Sequence, residues 1–270
     1  MSTPLNIYAD NEAYITIVTS SNGSVNKTFS FKDGIINSHP NATIFQGFAE
    51  TVRVNSIKNL AGIIANLSSN QAISLGRLPN PNQKYQLTTR SKMQGGAISR
   101  TQEYFKHSTT QGYLLLDIDT KGLPQAILDK ISGQRIVDIL YDVVPEIRQT
   151  SRLVRPSSSA GIIKPDGSES GATGMHIYVK VADQRQSKRT LQLIHDRCWE
   201  AGYGFFTLAR NGNLLERSLV DTSVHGPERL VFEAKPNVLP PLIKRHISDE
   251  VFVTAYWTVY ENQIKKRSII

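Results

Sequence analysis

Two carboxylates two positions apart, Asp117 and Asp119, close the apolar run Gly112-Tyr113-Leu114-Leu115-Leu116-Asp117-Ile118-Asp119 just before a Lys121-Gly122 turn. An apolar run bounded by turn residues reads as a buried strand. Strand side chains alternate, so Asp117 and Asp119 share one face while Leu116 and Ile118 pack on the other. Like charges this close repel, and carboxylate oxygens suit a hard ion such as Mg2+ or Mn2+ that would neutralise them. The pair is therefore read as metal ligands, although an isolated Asp-x-Asp can equally begin a solvated turn. Asp221, behind the apolar pair Leu219-Val220, is the candidate third ligand. His176 opens a second strand, Met175 to Val181, directly behind a loop carrying Gly167, Gly171 and Gly174. It shares a face with Tyr178 and Lys180, opposite Ile177, Val179 and Val181. A histidine placed there can meet a phosphate or simply face solvent.

Cations and hydroxyls that could serve a phosphate lie nearby in sequence. The stretch from Ser91 to His107 carries Lys92, Arg100, Lys106 and His107 around Gly95-Gly96. It reads as a phosphate-contacting loop or as a solvated basic one. Ser157-Ser158-Ser159 follow a short strand, Arg152 to Pro156, and Lys164, Ser170 and Arg229 come later.

The elements that must position these residues mix strands and helices throughout. Residues 6–36 alternate polar and apolar in Tyr14-Ile15-Thr16-Ile17-Val18 and Thr28-Phe29-Ser30-Phe31, which predicts a hairpin broken at Ser20-Ser21-Asn22-Gly23. Ile57, Leu60, Ala61, Ile64 and Leu67 predict a helix behind an Asn55 cap, and Ala72 to Leu78 a further strand. Helices are expected after Leu123-Pro124 and over Ile136 to Val143, ending at Pro145. Leu191, Ile194, Cys198 and Trp199 outline an amphipathic helix on which Lys188, Arg189 and Arg197 are expected to be solvated and His195 and Asp196 to lie on the surface. Tyr203 to Ala209 and Arg229 to Glu233 read as strands.

The fold class is thus α+β. Thirty-one Lys and Arg against 23 Asp and Glu give a net charge of +8, which favours a polyanionic partner or substrate. One cysteine, Cys198, excludes an internal disulfide and a cysteine zinc cluster and fits a reducing compartment, with the cytoplasm as the expectation. No apolar run reaches the length of a membrane span, and the first residues lack the charged-then-apolar order of a secretory leader. No internal repeat is present.

Taken in order, Asp117-Ile118-Asp119, Gly174-Met175-His176 and Val220-Asp221 resemble the motifs of the archaeo-eukaryotic primase superfamily, in particular primase-polymerases of mobile elements, phages and plasmids. There an apolar strand with Asp-x-Asp or Asp-x-Glu is followed by a small residue-x-His and then by an apolar residue and an acid. The resemblance spans Gly112 to Phe232, and it departs from the pattern at Gly174, where serine is frequent; Ser157 to Ser159 and Ser170 could supply that hydroxyl.

The resemblance implies an N-terminal α/β module, residues 1–110, packed on a catalytic sheet similar to an RNA-recognition motif, residues 111–246, with 247–270 a C-terminal helix or a linker toward further domains. It implies template-dependent nucleotidyl transfer, as DNA primase or DNA polymerase, with Asp117, Asp119 and Asp221 as catalytic metal ligands for Mg2+ or Mn2+. Such transfer sets a 3′-hydroxyl in line with an α-phosphate, and two ions can activate the nucleophile and stabilise the pyrophosphate. His176 would contact the nucleotide with Gly174, Ser159 and Ser170, and Arg229, Arg100 or Lys164 could supplement it. The implied partners are a single-stranded DNA template, a primer strand, (deoxy)nucleoside triphosphates and a fused or separate helicase, with no membrane. Two rivals stand beside this reading. A sugar-nucleotide glycosyltransferase also uses Asp-x-Asp but does not need His176 or Asp221 in these contexts. A non-catalytic nucleic-acid-binding replication protein would not need all three acids intact.

Overall fold

The computed structural model describes residues 13–40, 43–120, 122–171 and 174–254. Its first strand, β1 (Ala13–Ser20), buries Ala13, Ile15 and Val18 and does not pair with the next strand in sequence. Instead β2 (Lys27–Lys32) forms a hairpin with β3 (Ile35–Pro40), while β1 lies between β4 (Gly47–Val54) and a later strand. The hairpin is therefore displaced from the Ser20–Gly23 position expected from sequence. Its connection is Asp33-Gly34, with φ of 53° and 78°, the positive values at both central residues that match the twist of paired strands. At Ser20 the chain instead donates its backbone N–H to Asn70.

Helix α1 (Ile57–Ala65) buries Ile57, Leu60 and Ile64, and its cap is Ser56 rather than Asn55, with Oγ accepting from Asn59 N at 3.1 Å. Then come β5 (Gln71–Ser74), β6 (Lys84–Thr88) and β7 (Ile98–Ser99). The second half begins with β8 (Gly112–Ile118), whose residues are buried on both faces except around Asp117. It continues through α2 (Gln125–Ile131), α3 (Ile136–Val143) and the short α4 (Pro145–Arg148) to β9 (Arg152–Pro156) and β10 (Ile162–Ile163). Next are β11 (Met175–Val181), α5 (Ser187–Glu200) and the hairpin β12 (Phe205–Leu208) with β13 (Leu214–Arg217). Short strands β14 (Leu230–Val231), β15 (Asn237–Val238), β16 (Ile243–Lys244) and β17 (Glu250–Phe252) follow.

Two larger sheets result, a six-stranded one ordered β14-β5-β1-β4-β6-β7 and a four-stranded one ordered β17-β9-β11-β8. In the second, β8 and β9 both run antiparallel to the central β11. A strand, a helical crossover, two adjacent strands and a helix thus follow one another along the chain. The protein is an α+β fold. The sheets are not separate bodies: one apolar core takes in Ile15 and Ile73 from the first and Leu116 and Ile177 from the second, with Leu60 of α1 and Leu191 of α5. The divide at residue 110/111 is crossed by β14, which pairs Val231 with Ile73. The divide at 246/247 is crossed by β17, where Val251 and Phe252 favour a strand over a helix or linker, and Phe252 stacks on the Arg152 guanidinium at 4.0 Å. Residues 255–270 lie outside the described ones.

Buried Gln184 ties the sheets further. Its Nε2 donates to Leu75 O at 2.7 Å and Tyr113 O at 3.1 Å, and its Oε1 accepts from Ser108 N at 2.8 Å. On α5, His195 is not on the surface but buried against Ser218 Oγ at 3.0 Å. Arg197, expected in solvent, is buried and ion-paired to Glu146 at 3.0 Å. His195 faces the segment after the β12–β13 hairpin and Arg197 faces the short helix at Pro145–Arg148, contacts that the period of one helix cannot reveal. Among the described residues no helix is long and apolar enough to cross a membrane.

Candidate active site

Strand pairing places the chemistry. His176 on β11 is directly opposite Asp117 on β8 and opposite Arg155 on β9. His176 Nε2 is 3.4 Å from Asp117 Oδ1, and on the ring's other side Nδ1 donates to Glu233 Oε1 at 2.6 Å. The same Glu233 oxygen accepts from Tyr178 Oη at 2.5 Å, and its partner oxygen accepts from Arg155 Nε at 3.2 Å. Arg155 then reaches Asp249 Oδ2 at 2.5 Å. Burial opposes charge on His176, but the Glu233 and Asp117 carboxylates override it and raise its pKa from 6.5 to about 10. Burial likewise opposes charge on Glu233, and His176, Arg155 and Tyr178 together hold its carboxyl well below the ordinary range. The ring is an imidazolium held between two carboxylates.

Two cavities meet here. One, of about 440 Å3, has Asp117 and His176 on its floor and Lys27, Arg100 and Arg229 around it. The other, of about 570 Å3, holds Asp117, Asp119 and His176 with Gly174, Ser157, Ser159 and Ser170. The serines are arranged by the loop itself: Ser157 Oγ and Ser159 Oγ lie 3.1 Å apart, and Ser170 Oγ donates to Ser159 O at 3.0 Å. A side chain at Gly174 would place its Cβ 2.9 Å from the Ile118 carbonyl oxygen and 3.5 Å from Ser157 Oγ. Glycine lets the loop close on β8 there, and the Ser157 hydroxyl stands beside the position a serine at 174 would occupy.

Asp221 is brought to the other edge of β8 by a backbone bond from its N–H to Asp117 O at 2.9 Å. It does not sit in a strand. It caps the turn that follows, accepting from Ser223 N at 2.8 Å and Ser223 Oγ at 2.9 Å. Asp119 and Asp221 share a third cavity, of about 310 Å3, with His195 and Ser218. The expected convergence of Asp117, Asp119 and Asp221 is not present as the side chains stand, since among the described residues no three His, Cys, Asp or Glu could together hold a metal ion. Lys164 lines none of the three cavities; its backbone closes the loop after β10, with N–H to Ser168 O at 2.8 Å.

Sequence reasoning passes over Glu233 and Lys27. The signal for Glu233 is the one that marks Asp117, an acid ending the apolar run Leu230-Val231-Phe232. Lys27 has none, because it reaches the site only through the fold of the β2–β3 hairpin. No family model, curated protein or solved structure matches the chain.

Proposed function

We propose that the protein catalyses template-dependent nucleotidyl transfer as a DNA primase or primase-polymerase. The observation that carries this is the imidazolium of His176, fixed beside Asp117 in a cavity lined also by Lys27, Arg100 and Arg229. A fixed cation flanked by further cations suits a polyphosphate, and charge-assisted hydrogen bonds would hold it. The path of β8, helices, β9, β11 and α5 supports the reading of an RNA-recognition-motif-like sheet, with the Asp221 segment on the free edge of β8.

Asp117, Asp119 and Asp221 would hold Mg2+ or Mn2+, since the donor set is all oxygen and the backbone already sets Asp221 beside Asp117. Asp221 would exchange its bonds to Ser223 for the ion. Bound there, the metal would supply activation of a 3′-hydroxyl and neutralisation of the leaving pyrophosphate. The chain's own residues bind and orient: His176, Arg229 and Arg100 take the phosphates, and Ser159, Ser170 and Gly174 shape the neighbouring cavity. The net charge of +8 would help hold a single-stranded template and primer. A helicase, fused or separate, and a cytoplasmic setting belong to the same proposal.

Primer extension with deoxynucleoside triphosphates and Mg2+ or Mn2+ tests it. Wild type should extend, and Asp117→Asn should lose activity by on the order of 100-fold or more with its thermal midpoint kept. Equal extension by wild type and Asp117→Asn would sink the proposal. The capping of Ser223 by Asp221 favours one second reading, a replication protein that binds nucleic acid without catalysis. It would bind single-stranded DNA in that assay and extend nothing.

A further inference from the structure

Three residues line both cavities at the site, and only two of them come from the strands that carry the motifs. They are Asp117, His176 and Lys27, the last reaching in from the first strand of the β2–β3 hairpin. The cavities differ in chemistry. The smaller one adds Arg100 and Arg229 to the shared cations, with one further carboxylate, Glu228. The larger one adds no further cation and one further carboxylate, Asp119, and sets Phe29, Ile36 and Ile162 beside the hydroxyls of Ser38, Ser157 and Ser159. The hairpin packs against β10, since Phe29 and Ile162 are buried in a common apolar cluster to which Ile36 adds. It lines the cavity that holds Asp117 and Asp119.

We infer that a nucleoside triphosphate spans both cavities, with its polyphosphate among the guanidinium groups, its nucleoside under the β2–β3 hairpin, and Lys27 on the phosphates at the junction. This rests on the nucleotide reading above and adds the division of the site and a binding residue from the N-terminal half. A polyphosphate in the larger cavity would meet apolar walls and forgo Arg100 and Arg229. A base in the smaller one would desolvate Arg100 and Arg229 beside the carboxylates of Asp117 and Glu228 and give these cations no phosphate to bind. At about 570 Å3 the larger cavity falls in the size range of small-molecule sites, about 300–1,000 Å3. Sugar hydroxyls would find partners in Ser38, Ser157 and Ser159, and a base would find Phe29 and Ile36.

Calorimetric titration in Mg2+ with each of the four deoxynucleoside triphosphates, and separately with inorganic tripolyphosphate, tests the division. Lys27 and Ser38 are both exposed, so Lys27→Ala and Ser38→Trp should fold, which the thermal midpoint checks. Lys27→Ala should weaken nucleotide and tripolyphosphate alike, by about tenfold. Ser38→Trp should fill the space under the hairpin, weaken the nucleotides by about tenfold or more and leave tripolyphosphate within about twofold of wild type. Loss of tripolyphosphate binding in Ser38→Trp would place the phosphates under the hairpin and overturn the division. Unchanged binding in both variants would overturn it as well. Wild type that binds neither ligand would instead overturn the nucleotide reading on which it rests.

Discussion

At the scale of single residues, the decisive group is Glu233. Its carboxylate accepts from His176, Tyr178 and Arg155 at once, so it fixes which way the imidazole faces and keeps both ring nitrogens protonated. Removing its charge while keeping its shape, Glu233→Gln, leaves the half-buried His176 and Arg155 beside an uncharged amide, with Asp117 and Asp249 as their remaining carboxylates. That should cost about 1–3 kcal/mol, read from denaturant unfolding. The pH dependence has a definite sign. His176 is raised from 6.5 to about 10, so its contribution is complete below pH 6.5 and is lost as pH rises toward 10. Glu233 is depressed from 4.5, so its contribution is complete above pH 4.5 and is lost as pH falls below that. In the metal-free protein the pair should therefore stabilise most between these limits, with wild type losing stability from pH 6.5 to 9 and Glu233→Gln showing a flatter profile. A wild-type curve as flat as the variant's would refute the ion pair.

At the scale of elements, the loop from β10 to β11 shows why a departure from a familiar motif need not remove its chemistry. Gly174 packs against the Ile118 carbonyl, and Ser157, paired to it by Ser157 N to Gly174 O at 2.9 Å, brings a hydroxyl to the same place. Gly174→Ser should therefore not improve the site. The new Cβ is driven into backbone, and the variant should lose about 1–3 kcal/mol and activity with it, as melting and extension assays would show. Much at this scale is legible in the chain. The Asp117 strand, the His176 strand and α1 follow from apolar period alone, with the α1 cap one residue later than expected. The β2–β3 hairpin was equally open to reading, because Asp33-Gly34 is a stronger turn signal than Ser20–Gly23. The burial of His195 and Arg197 was not, since it depends on Ser218 and Glu146, which only the packing of α5 brings near. For the same reason Lys27 stayed invisible: no local pattern in a hairpin says which distant strand it will cover.

At the scale of the whole molecule, the two sheets are laced together. Gln184 joins the end of β5 to the start of β8, β17 returns to β9, and β14 returns to β5. Residues 1–110 and 111–270 expressed as separate fragments should each melt without a cooperative transition and recover one only on mixing, which circular dichroism would follow; a cooperative fragment 1–110 alone would contradict the shared core. The return of β14 also bears on how the chain is made. The outer edge of β5 has no strand to pair with until Leu230 and Val231 have been synthesised, although Ile73 on that edge is completely buried in the finished protein. Through most of translation the emerging N-terminal sheet therefore presents an open edge with unpaired backbone groups. Ribosome-associated chaperones would have their longest engagement there, and the same late strand that shields the edge ends at the doorstep of Glu233, so His176 acquires the second of its two carboxylates only as the sheet is sealed.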